Sequence, residues 1–243
     1  MRIEDKLSPN HDDRKGVTPS LIILHYTGMQ TALDVFKRFR DADSKVSAHY
    51  TIDEDGSVYT HVDEERRAWH AGVSFWQGMT DINAHSVGIE LVNPGHEWGY
   101  RPFTGAQMKS LIPLCKEIMQ RWDIEPENVL AHSDVAPDRK QDPGEYFPWK
   151  ELASHGVGVW PAESDEDAVK ATSINVERAL HDFGYDTRIK LRDKITAFQR
   201  HWVPEAFHEG HQGEADNLVR ARLYALLAGH HAETEDQKNG ISY

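Results

Sequence analysis

Residues 131–150 read AHSDVAPDRKQDPGEYFPWK. Within that run, His132, Lys140 and Asp142 carry an imidazole, an ammonium and a carboxylate, and Pro137 and Pro143 stiffen the chain between and around them. Proline fixes φ and lacks the backbone donor, so this is a rigid loop, neither a regular helix nor a central strand. Such a loop fits a site better than a core. A polar surface loop would read the same way if no other segment supplied matching groups, so the neighbouring segments decide.

Upstream, a short strand over 128–131 delivers His132. Ser20 to Tyr26, SLIILHY, is a continuous apolar run, the pattern of a buried strand, with His25 at its mouth before Thr27 and Gly28. Ser86 to Val92, SVGIELV, is a second such run, broken by Glu90. A carboxylate there is costly to bury unless it is paired or working. The plainer alternatives are a satisfied core histidine at 25 and an edge strand that turns Glu90 to water.

Between these strands, Thr31 to Arg40 reads as a helix capped by Thr31, with Leu33 and Phe36 on one face. Residues 48–52 and 57–62 flank Asp53-Glu54-Asp55-Gly56, a hairpin signal; the acidic turn lacks the later ligands of a calcium loop. His49 and His61 on these strands read as structural or exposed. Ala68 to Gly72, AWHAG, and Phe75 to Gly78, FWQG, place Trp69, His70 and Trp76 as candidates to line a groove for a sugar or peptide; ordinary aromatic packing is the alternative. Thr104 and Gln107 form a capping box ahead of Met108, Leu111, Ile112, Cys115, Ile118, Met119 and Trp122 at helical spacing. Pro113 inside that helix predicts a kink or a later start.

After Trp160-Pro161 the acidic stretch AESDEDA lacks apolar periodicity and reads as a linker. Three amphipathic segments follow: Ile174 to Phe183, the stripe Leu191, Ile195, Phe198 and Trp202, and the stripe from Leu218 to Leu227. Short connections predict a small bundle. His208-Glu209-Gly210-His211 lacks the i, i+4 spacing that lets two histidines share a helix face over zinc, so it is read as chance. The polar tail, 231–243, is expected to be disordered.

The composition narrows the function. With 39% hydrophobic and 28% charged residues, the 243-residue chain can bury a sizeable core. A net charge of −13 argues against nucleic acid or anionic lipid as a partner. The single cysteine, Cys115, excludes an internal disulfide and leaves histidines and carboxylates for any metal site. The start, MRIEDKLSPNHDD, has no apolar signal core, and no run reaches the ~18 apolar residues of a membrane span. As written, the expectation is a cytoplasmic protein, with the cell envelope as the alternative had a leader been removed.

His25, Glu90 and the His132–Asp142 loop all stand at strand ends or in loops. Two histidines and one carboxylate suffice for a catalytic zinc with an open position for water, and Glu90 and Lys140 match a general base and an oxyanion stabiliser. Spacing alone does not prove that they meet. The blocks LIILHYTG, SAHYTIDEDG, AWHAG, SVGIELVNPGH and AHSDVAPDRKQDPGEYFPW, in that order over roughly residues 8–160, resemble zinc-dependent N-acetylmuramoyl-L-alanine amidases of the AmpD and AmiD types. Peptidoglycan recognition proteins share that fold.

The resemblance implies an α/β fold with a mixed central sheet flanked by helices over 1–162. It implies Zn2+ on His25, His132 and Asp142, with Glu90 and Lys140 catalytic. His70, Trp69, Trp76 and Asn93 are then expected to bind substrate. The reaction implied is hydrolysis of the amide between the lactyl group of N-acetylmuramic acid and L-alanine, in peptidoglycan or a muropeptide. No obligatory protein partner, nucleic acid or membrane insertion is implied. Residues 163–230 are similar to a peptidoglycan-binding three-helix module, best at ITAFQRHW (195–202), though without its Gly-rich second half. The rival readings are a non-catalytic peptidoglycan receptor on the same fold and a zinc peptidase.

Overall fold

In the computed structural model, which describes residues 3–162 and 164–229, a six-stranded mixed sheet carries the molecule. Its strands are β1 (Ile3–Asp5), β2 (Leu21–Tyr26), β3 (Tyr50–Ile52), β4 (Val58–Thr60), β5 (Ser86–Leu91) and β6 (Val129–Ala131), in the order β1-β4-β3-β5-β2-β6. Only β3 and β4 pair antiparallel, as the Asp-Gly turn between them requires. Gly56 in that turn has φ +86°, and a Cβ there would meet the Ala106 carbonyl oxygen at 2.7 Å. The continuous apolar runs became β2 and β5, adjacent and parallel in the middle of the sheet. Both of their faces are covered, which is why neither alternates polar and apolar. Glu90 is therefore on an interior strand, not on an edge turned to water.

Helix α1 (Ala32–Arg40) starts at Thr31, whose side chain accepts the Asp34 N–H. Helix α2 (Gly105–Trp122) has the expected capping box at Thr104 and runs through Pro113 without a break. It buries Met108, Leu111, Leu114, Cys115 and Ile118. The amino-terminal residues add two pairings: β1 joins β4, and His11–Asp13 pairs antiparallel with Arg66–Ala68. After β6 comes the single turn α3 (His132–Val135).

The acidic stretch expected as a linker is instead helical. Helix α4 (Asp165–Ala171) is capped by Ser164, whose hydroxyl oxygen accepts the Asp167 N–H at 3.0 Å. Acidic residues in a first turn complement the positive end of the helix dipole, so local electrostatics made the helix that periodicity did not announce. Helices α5 (Val176–Phe183), α6 (Leu191–Trp202) and α7 (Asn217–Leu227) match the three amphipathic segments, and α4 packs on α7. One hydrophobic core runs from Leu21 in the sheet to Leu226 in α7. Among the described residues no helix is long and apolar enough to cross a membrane. The tail expected to be disordered, 231–243, lies outside the described residues.

Candidate functional site

Three parallel strands end side by side. In the register, His25 of β2 stands opposite Glu90 of β5, and Leu24 stands opposite Ala131 of β6, so His132 leaves β6 level with His25. Sites in such sheets form at the carboxyl ends of the strands. The loop after α3 then folds back, closed by the Ser133 N–H on the Asp142 carbonyl oxygen at 3.0 Å. That closure returns Asp142 to the two histidines. His25 Nδ1, His132 Nδ1 and Asp142 Oδ2 lie 2.9 Å from one another, and all three residues are buried.

Their outer partners assign the ring tautomers. The Ser86 hydroxyl donates to the Ile82 carbonyl oxygen at 2.6 Å, so its oxygen is left to accept from His70 Nε2 at 3.3 Å. His70 Nδ1 is then a bare acceptor, and His25 Nε2 donates to it at 3.0 Å. His132 Nε2 faces the Ala71 carbonyl oxygen at 3.1 Å, a contact that only an N–H can make. In the neutral rings both Nδ1 atoms therefore carry lone pairs. Two imidazole lone pairs and a carboxylate oxygen face one another with no proton between them, which is the donor set for a divalent cation. Among the described residues this is the single group of three or more His, Cys, Asp or Glu side chains so arranged.

The electrostatics agree. Burial, reinforced by His132, pushes His25 down to about 4, so it is neutral at physiological pH. Burial alone would raise Asp142, but His132 and His25 hold its carboxyl well below the usual range. Glu90 goes the other way: burial, then the Asp142 carboxylate, drive it well above the ordinary range against the pull of Lys140. Its Oε2 is buried with no hydrogen-bond partner among the described residues. A carboxylate held without partners beside a cation site is poised to exchange a proton.

These groups open onto one cleft of about 390 Å³, lined by His25, His132, Asp142, Glu90, Lys140, His70 and Trp69 among others. Two of the expected substrate residues are elsewhere. Trp76 is 1% exposed and packs edge-on against Tyr185 and Phe183, where the carboxyl-terminal helices meet the sheet domain. Asn93 is also 1% exposed; its amide donates to the Arg101 carbonyl oxygen and its oxygen accepts the Gly95 N–H. Both are structural because nearby backbone and aromatic groups claim them. His70 reaches the cleft, yet its two nitrogens are engaged by His25 and Ser86.

Sequence reasoning missed Arg139. Its guanidinium donates to the Ala71 and Val73 carbonyl oxygens and so ties the loop to the AWHAG segment. Only its position beside Lys140 hinted at a role. A second depression, sharing Trp69, His70, Arg139 and Lys140 with the cleft, adds Lys45 and Arg67.

Comparison with known proteins identifies the family. Residues 15–145 match the family described as Amidase_2, N-acetylmuramoyl-L-alanine amidase. The chain is 36% identical over 239 residues to the N-acetylmuramoyl-L-alanine amidase AmiD of Escherichia coli, covering 85% of this chain and 82% of that one. It is 34% identical over 160 residues to the 1,6-anhydro-N-acetylmuramyl-L-alanine amidase AmpD of Enterobacter cloacae, covering 58% of this chain and 83% of the relative. E. coli AmiD has been solved in complex with the substrate anhydro-N-acetylmuramic acid-L-Ala-D-gamma-Glu-L-Lys. That structure superposes with a TM-score of 0.74 at 34% identity, over 90% of each chain. AmpDh3 of Pseudomonas aeruginosa with anhydromuramic pentapeptide superposes with a TM-score of 0.76 at 30% identity, over 93% of this chain and 96% of that one. The family match and these relatives show that the chain belongs to the N-acetylmuramoyl-L-alanine amidase family.

Proposed function

We propose that the cleft holds Zn2+ on His25, His132 and Asp142 and hydrolyses the amide between the lactyl group of anhydro-N-acetylmuramic acid and L-alanine. The observation that carries this is the triangle of lone-pair donors, 2.9 Å on each edge, beside the unpartnered carboxylate oxygen of Glu90. Nitrogen and oxygen donors in a two-histidine, one-carboxylate set suit zinc and leave a coordination position for water. When bound, the ion would supply Lewis acidity to a water and to the amide carbonyl.

The chain's own groups do the rest. Glu90 takes the water's proton as the oxygen attacks, and burial beside Asp142 raises its affinity for that proton. The Lys140 ammonium, lining the same cleft, stabilises the negative charge that develops on the carbonyl oxygen. Glu90 then returns the proton to the leaving amine of L-alanine. Trp69 offers a half-buried aromatic face on the cleft wall for the sugar or lactyl group. Lys45 and Lys140 in the adjoining depression suit the carboxylates of a stem peptide, whereas Arg67 there is paired with Asp12 and Asp81.

The anhydro-muropeptides named with AmiD and AmpDh3 support this substrate class and a place in cell-wall turnover or recycling. The test is incubation with a defined anhydro-muropeptide, with and without chelator, and identification of the products by mass spectrometry. Release of a free peptide beginning at L-alanine, lost with chelator and restored by zinc, is expected. Cleavage within the stem would make the protein a peptidase; no cleavage with zinc bound would point to a receptor, or to polymeric wall as the substrate.

A further inference from the structure

We propose that helix α6 is part of the metal site, with His201 and Tyr185 as positioning residues that hold the His132–Asp142 loop through the buried carboxylate of Asp134. The proposal rests on the ligand assignment just given.

Asp134 lies two residues past His132 and is 0% exposed. Burying a carboxylate is costly unless hydrogen bonds replace its water. Three donors do so here. Oδ2 accepts the Ala131 N–H at 2.8 Å and the His201 Nδ1–H at 2.7 Å, and Oδ1 accepts the Tyr185 hydroxyl at 3.2 Å. One donor is the backbone just before the ligand His132; the other two come from the carboxyl-terminal helical region.

The His201 ring stacks between Trp149 and Trp202, with centroids 3.6 Å away on each side. Its Nε2 is buried without a partner among the described residues, so its polar engagement is the bond to Asp134. The far side of the loop is held from the same helix. Arg200 Nη2 donates to Gln141 Oε1 at 3.2 Å, and its guanidinium lies 3.8 Å from Glu145. Contacts at Asp134, Gln141 and Glu145 thus hold the loop within three residues of each ligand. The Ser133–Asp142 backbone bond makes its two ends move together. Within Ile195–Trp202, the segment most like a glycan-binding module, Ile195, Ala197, Phe198, Gln199, His201 and Trp202 are buried. Phe198 packs on Phe183, Gln199 donates to the His211 and Glu214 carbonyl oxygens, and His201 is held by Asp134, so the segment's side chains serve the helical region's own core and the contact to the loop.

The test measures zinc affinity of the full chain by chelator competition, alongside the melting temperature of the zinc-free protein. His201→Phe keeps the aromatic stack and removes the donor. Tyr185→Phe removes only a hydroxyl and carries the same test should the first variant fold poorly. Val219→Ala, in the core of α7 away from the loop, is the control for general destabilisation. Outer-shell changes at metal sites typically cost 10–100-fold in affinity, and about tenfold weaker zinc binding is expected for H201F. Y185F should weaken it in the same direction, and the visible bands of the cobalt-substituted protein should move in H201F. V219A should lower the melting temperature and leave zinc affinity and the cobalt spectrum unchanged. Zinc affinity in H201F and Y185F equal to that of the unmodified chain, or losses that V219A reproduces, would overturn the proposal. Zinc binding that survives His132→Ala would instead overturn the ligand assignment, and this inference with it.

Discussion

A hydrogen-bond chain decides what the site can bind. Ser86, His70 and His25 pass donors outward, and that leaves the His25 lone pair facing inward. The chain has little slack, because the His70 ring lies flat against the backbone of β5. A Cβ on Gly88 would meet His70 Cγ at 2.5 Å. Gly88→Ala should therefore push the ring off its partners, at about 1–3 kcal/mol of overpacking in stability. Its zinc affinity should fall as well, and chelator competition on the folded variant checks this; unchanged affinity would show that His70 does not orient His25. Glu90→Gln separates binding from chemistry. It removes the base and leaves the three ligands, so zinc stoichiometry should hold near one while kcat falls by about 10²–10⁴. Full turnover in E90Q would remove Glu90 from the mechanism. The residues legible in the sequence were those whose type conflicted with their surroundings: a carboxylate in an apolar strand, and a histidine at a strand's mouth. Trp76 and Asn93 carried no such conflict. Their types suit a groove, and only the packing of Tyr185 and the Arg101 carbonyl shows where they point.

Elements announced themselves when one mechanism sufficed to make them. The strands β2 and β5 followed from apolar runs, the second interrupted only by Glu90, and α2 from its capping box and apolar stripe. Thr104 does more than cap, since its hydroxyl also donates to the Glu54 carbonyl oxygen at 2.7 Å and so joins α2 to the β3–β4 hairpin. Thr104→Ala should cost about 1–2 kcal/mol, read as a lower midpoint in urea with an unchanged m-value. A change below a few tenths of a kcal/mol would show that Gln107 alone holds the end. Helix α4 was not legible because its stability comes from Ser164, the acidic first turn and packing on α7, none of which leaves a periodic trace. The His201–Asp134 bond was equally silent, because its partners lie 67 residues apart.

For the molecule as a whole, the buried histidines set an acid limit. Burial, with Arg14 nearby, pushes His49 down to about 3, and burial pushes His61 down to about 4. Each takes a proton readily only once the chain unfolds, where its pKa is near 6.5. Their contribution is thus complete above pH 6.5 and is lost as pH falls from there toward 4. Each histidine loses about 1.4 kcal/mol per pH unit in that window. Urea denaturation of the zinc-free protein should give a stability roughly 2–4 kcal/mol lower at pH 5 than at pH 7, and a flat profile would refute the assignment. The main core, which holds α2 against the sheet, has a further use. Cys115, the chain's one thiol, sits in α2 at 0% exposure, and burial raises its pKa. Thiol reagents attack the accessible thiolate, which the closed molecule does not present. Blocking of that sulfur by a small alkylating agent therefore records each excursion in which α2 parts from the sheet. The protein carries its own clock for opening, readable by mass in a crude extract without any label being introduced.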